Sequence, residues 1–145
     1  MTPLKTLRRQ AGISLLEVLI AMLVLSLGLL GLAGLQMSAL RNNQSAMERS
    51  MAVVESYSIV DAMRIAPNAV DNGDFDLTLE DNPASGTFAG NQLIEWRGRL
   101  QDLLGESARG AVSCADSVCT VTIEWDDQRG TSGSDAHQVI TEARL

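Results

Sequence analysis

The chain is predicted to be α+β: a long N-terminal helix over about residues 13–65, packed against a small C-terminal antiparallel sheet, with a short second helix over about 91–104. Three patterns predict it. From Ile13 to Leu35 only Ser14, Glu17 and Ser26 fall outside the aliphatic, Met and Gly set, and no proline follows until Pro67. Between Asn91 and Leu104, Leu93, Trp96, Leu100, Leu103 and Leu104 recur at helical spacing. Finally, Cys119, Val121, Ile123 and Trp125 alternate with Thr120, Thr122 and Glu124, the period of a half-buried strand.

The 145 residues suffice for one domain, but 46% hydrophobic against 20% charged is unevenly spent. An apolar segment precedes a more polar body, so two environments are written into one chain. At about 1.5 Å per residue the 23 residues from Ile13 to Leu35 span about 35 Å, enough to cross a bilayer. Lys5, Arg8 and Arg9 precede them and should stay cytoplasmic, leaving everything after Leu35 outside. The run exceeds the apolar core of roughly 7–15 residues usual in a secretory signal peptide, so its length favours an anchor.

Glu17 does not fit a plain anchor. A carboxylate inside an apolar helix costs a few kcal/mol in lipid and marks a partner or a function. If the chain is cut after Gly12, the Ile13 amine becomes a charge in the same membrane, about one helical turn from Glu17. Within one helix the carboxylate neutralises that amine; between staggered helices the same pair sets their register.

The segment Gly12-Ile13-Ser14-Leu15-Leu16-Glu17-Val18-Leu19, behind its basic leader, resembles the type IV prepilin signature: Gly at −1, an apolar residue at +1, Glu at +5. The resemblance implies that a membrane prepilin peptidase cuts between Gly12 and Ile13 and methylates the Ile13 amine, and that Glu17 is the assembly glutamate. The family favours Phe at +1, where this chain has Ile. The continuation from Leu23 to Gln36, with its Gly28, Gly31 and Gly34, is similar to the PilV group of minor pilins. Those glycines, with Ala21, offer a stripe for close helix approach.

Beyond Gln36 the helix turns amphipathic. Met47, Met51 and Val54, flanked by Val53, Tyr57 and Val60, form an apolar stripe, while Arg41, Asn42, Asn43, Glu48, Arg49, Glu55 and Asp61 are expected on the polar face. Pro67 disfavours helix at Ala66, so the helix ends near 64–66 after about 52 residues, or about 78 Å, longer than any bilayer. Residues 68–90 read as a variable connection with a strand-like stretch at Phe75–Leu79. Its acids Asp71, Asp74, Asp76, Glu80 and Asp81 lack EF-hand spacing and are expected to be solvated. Gly105 stops the second helix. After the turn-like stretch 126–135, residues 138–145 return as the partner of the Cys119–Trp125 strand.

Cys114 and Cys119, with no CxxC and no ligand set around them, read as a disulfide, which persists in an oxidising compartment. They enclose a small loop at the start of the strand. The pilin resemblance implies that this bond staples part of the sheet.

Composition also excludes. Without the first twelve residues the net charge falls from −7 to −10, which repels phosphates, and no nucleic acid partner is expected. His137, the one histidine, is expected at the surface near the start of the last strand, and the loop pair Asp126 and Asp127 to be solvated; no nucleophile–base set, phosphate loop or zinc pattern is present, so the chain reads as no enzyme and without cofactor. The resemblance implies a minor pilin made in the inner membrane with its C-terminal domain in the periplasm, then moved to the pilus. Its partners would be the peptidase, the inner-membrane assembly machinery, and other minor and major pilins. The expected organisation is a 1–12 leader, a 13–35 membrane or filament-core helix, and a 36–145 head. A minor pseudopilin of type II secretion shares these features; an uncleaved bitopic protein with a small periplasmic domain shares the length and charge bias but gives Gly12 and Glu17 no task.

Overall fold

The computed structural model describes residues 12–128 and 134–145. Its elements are α1 (Leu15–Ile65), α2 (Pro67–Asp71), α3 (Phe88–Leu104), β1 (Arg109–Ala115), β2 (Val118–Trp125) and β3 (His137–Arg144). Long helix, short helices and a three-stranded antiparallel sheet in the order β1-β2-β3 make the α+β, pilin-like architecture expected. The leader through Ala11 and residues 129–133 of the turn-like stretch lie outside the described residues. The chain divides into two compact units, Met1–Ser38 and Ala39–Leu145.

In the first unit the described residues form the apolar start of α1. None of its most apolar window is buried, and it is long and apolar enough to cross a membrane. Ser26 returns its hydroxyl to the Leu23 carbonyl at 2.9 Å, which satisfies the one polar side chain in the middle of this stretch.

In the second unit α1 buries a different face from the one its apolar residues suggest. Ser45, Glu48, Ala52, Glu55, Ser56, Ile59, Val60, Ala62 and Met63 are buried, whereas Met47, Val54 and Tyr57 are 59%, 66% and 54% exposed. Small residues let the rest of the unit approach the helix closely, and the two glutamates go inside because they are paired. The Glu55 carboxylate accepts from Arg99 Nε at 3.1 Å, and Glu48 from Gln44 Nε2 at 3.2 Å. Of the expected stripe and its flanks, only Val60 is fully in the core.

Pro67 acts as foreseen but also starts something: α1 ends at Ile65 and Pro67 opens the five-residue α2, where its missing N–H costs nothing. Phe75 and Leu77 anchor the following connection in the core. The strand-like stretch shrinks to one bridge, Leu77 to Val112, with N···O distances of 2.8 and 2.9 Å. Arg97 of α3 fixes the next residues by donating to the carbonyls of Thr78 (2.6 Å), Leu79, Asp81 and, across to β1, Gly110 (2.7 Å). Burial, and then the nearby Arg109, push the Arg97 pKa down, while Asp81 opposes them.

The second helix begins three residues earlier than periodicity suggests, because Thr87 caps it: the Gly90 N–H donates to Thr87 Oγ1 at 3.0 Å. Leu93, Trp96, Leu100 and Leu104 pack inward, but Leu103 stays 41% exposed. Trp96 Nε1 donates to the Glu55 carbonyl of α1 at 3.0 Å, and its ring lies over Gly110 of β1. One tryptophan thus joins helix, helix and sheet.

The sheet has one strand more than alternation revealed. Strand β1 pairs with β2 in the register Arg109↔Glu124 to Ala115↔Val118, and β2 with β3 from Val118↔Arg144 to Trp125↔His137. Asp116 and Ser117 close the β1–β2 hairpin at φ of 50° and 64°, the left-handed pair that a two-residue turn requires. The inward residues of β2 are Cys119, Val121, Ile123 and Trp125, all at most 1% exposed. Ser56 of α1 and Thr141 of β3 share a 2.9 Å hydrogen bond between their hydroxyls.

Candidate assembly segment and disulfide hairpin

Gly12, Ile13 and Ser14 precede the helix, and the Ser14 carbonyl starts it by accepting from Glu17 N at 3.0 Å and Val18 N at 3.3 Å. Glu17 therefore sits in the first turn, where the partial positive charge of the helix N-terminus favours a carboxylate. Around it, apart from Ser14, the surface is apolar: Ile13, Leu15 and Leu16 are 76%, 79% and 65% exposed. No cation among the described residues is paired with Glu17. A positive group placed at Ile13 N by a cut after Gly12 would lie one turn away, in the low-dielectric surroundings where such a pair has its largest effect. Gly12, Gly28, Gly31 and Gly34 have no atom within 4 Å of where a side chain would start, so their surface is free to take a close neighbour.

Cys114 and Cys119 are bonded. They enclose the short turn at the start of β2, as expected, and face each other in register on β1 and β2. The bond therefore ties the two arms of the hairpin just before its turn. Cys119 is fully buried and Cys114 half-buried, with its sulfur 3.9 Å from Met63 Sδ on α1.

Two residues set aside from chemistry take structural roles. His137 opens β3 half-buried, its ring 4.9 Å from that of Trp125 in an edge-to-face contact. Asp127 is not solvated: at 1% exposure, its Oδ2 accepts from Ser45 Oγ at 2.6 Å and from Arg49 Nη2 at 3.3 Å. Charge runs in a loop gave no signal of this, because the partners lie about eighty positions away. Asp126 follows the expectation and caps its own turn, accepting from Gln128 N at 2.9 Å. No cluster of three or more potential metal-ligating side chains occurs among the described residues.

A protein-family model described as the Prokaryotic N-terminal methylation motif matches residues 7–33. No curated protein and no solved structure matches the chain. The match spans Arg8, Arg9, Gly12, Ile13, Glu17, Gly28 and Gly31. It supports a type IV pilin-like protein, pilin or pseudopilin, that is processed by prepilin peptidase. The same motif and the apolar helix are consistent with anchoring in a membrane before assembly.

Proposed function

We propose that the chain is a PilV-like minor pilin of a type IV pilus. Prepilin peptidase cuts it between Gly12 and Ile13 and methylates the new amine. Residues 13–35 then anchor it in the inner membrane, with residues 36–145 in the periplasm as the head. Glu17 and the Ile13 amine set the register with neighbouring subunits, and apolar burial supplies the cohesion. With other minor pilins the protein helps prime assembly and form the tip complex, and so supports adhesion and twitching motility. The chain works as a substrate of enzymes rather than as one, and needs no cofactor.

The observation that carries this reading is a glutamate in the first turn of the exposed, apolar start of α1, inside the matched motif. A membrane anchor does not need it; an assembly helix does. Mass spectrometry of the intact protein and its N-terminal peptide, from native membranes with and without the prepilin peptidase, tests it. The expected result is a peptidase-dependent start at Ile13; a Met1 start, or a cut beyond Leu35, overturns it. Deletion then separates pilus from secretion: lost surface pili support the pilus, and exoproteins retained in the periplasm support the type II pseudopilus.

A further inference from the structure

Leu40, Met47, Met51 and Val54 of α1, with Gln44 between them, follow the 3–4 alternation of a helix-packing seam. Leu40, Met47 and Val54 lie outside the core, 64%, 59% and 66% exposed, and Met51 is partly buried against it. Beside them Leu103 of α3 stands up as a second wall, closing a groove of about 280 Å³ over Met47, Met51 and Val54. The two polar residues at the groove are already satisfied, Ser50 by the Ala46 carbonyl at 2.9 Å and Glu55 by Arg99. It therefore offers a ligand shape and apolar contact, but no unpaired polar group. Knobs from a packed helix match that chemistry, and flexible Met side chains adapt to them.

Charge selects which helix. From Ala39 onward there are eight basic and seventeen acidic residues, a net of −9. Two copies side by side would bring two such bodies within about one Debye length, roughly 8 Å at physiological salt, where their repulsion is not screened out. We propose that the groove seats the apolar seam of an amphipathic helix from a second, non-identical single-pass subunit whose own head is neutral or basic. That the partner is single-pass rests on the pilin reading, which places both chains in one membrane.

The full chain in zwitterionic lipid nanodiscs tests this with two synthetic helical peptides. Both carry the same Leu seam and a central benzophenone; one is flanked by Lys, the other by Glu. The expected result is photo-attachment of the Lys-flanked peptide within residues 47–54 and at Leu103, at least tenfold above the Glu-flanked peptide. The double variant Met47→Glu, Val54→Glu, at two exposed positions, should abolish it. Attachment mapped elsewhere, or unchanged in the variant, overturns the groove; equal labelling by the Glu-flanked peptide overturns the charge selection. The mapped site on the unsubstituted chain decides even if the variant fails to fold. The N-terminal mass of the same sample keeps the two readings separate: groove labelling on a chain that native cells leave uncut would sink the pilin assignment and not the groove.

Discussion

Gly110 is a position where the head leaves no room for a side chain. A Cβ there would stand 2.3 Å from the Trp96 ring, and that ring is held in place by its hydrogen bond to the Glu55 carbonyl. Gly110→Ala should cost about 1–3 kcal/mol of stability, seen as a lower melting temperature of the full chain in detergent. Asp127 and Asp126 are neighbours with opposite expectations. Asp127→Ala strands Ser45 and Arg49 and should lose about 1–3 kcal/mol, whereas Asp126→Ala should stay within about 0.5 kcal/mol of the parent. Glu17 is different again, because on the proposed function its partner would belong to the assembled state. Glu17→Ala should leave peptidase cleavage intact and lower incorporation into filaments by at least about tenfold, since removing one member of a desolvated pair costs several kcal/mol. Immunoblots of sheared filaments against whole cells measure it; normal incorporation would remove Glu17 from the assembly role.

Among the elements, the β1–β2 hairpin is held twice, by seven register pairs and by the Cys114–Cys119 bond. A cross-link over so few residues removes little chain entropy, about 2 kcal/mol in the loop model. Replacing both cysteines by Ala should therefore lower stability by about that amount and leave the strand pairing in place, with Val112, Val121 and Ile123 still buried. Amide exchange across β2 reports it: slow exchange should survive, and its loss would make the disulfide the organiser of the sheet. Strand β2 was legible because four buried residues alternate with polar ones. Strand β1, Arg-Gly-Ala-Val-Ser-Cys-Ala, was not: its contacts are made by a glycine under a tryptophan and a lone Val112, and neither produces a period. The start of α3 was missed for a similar reason, since a Thr cap acts through one hydrogen bond and leaves no apolar mark.

At the scale of the whole molecule, one chain is built for two media. The exposed apolar start of α1 demands lipid or neighbouring helices, while the unit from Ala39 onward has its own core. Attachment by apolar burial is insensitive to salt, so the protein should remain in the membrane pellet after washes with high salt and alkaline carbonate; release by salt alone would mean that charge holds it there. The motif over residues 7–33, the long helix broken before Pro67, the second helix and the paired cysteines were all readable, because each depends on residues close together in sequence. The face that α1 buries was not readable from sequence. Hydrophobicity pointed to Met47, Met51 and Val54, but the helix turned Ser45, Ala52, Glu55 and Ser56 inward. That choice depended on partners far away in the chain: Arg99 to neutralise Glu55, Thr141 to meet Ser56, Asp127 to meet Ser45. Local periodicity records which residues avoid water, and only tertiary packing decides which polar groups find partners good enough to take their place.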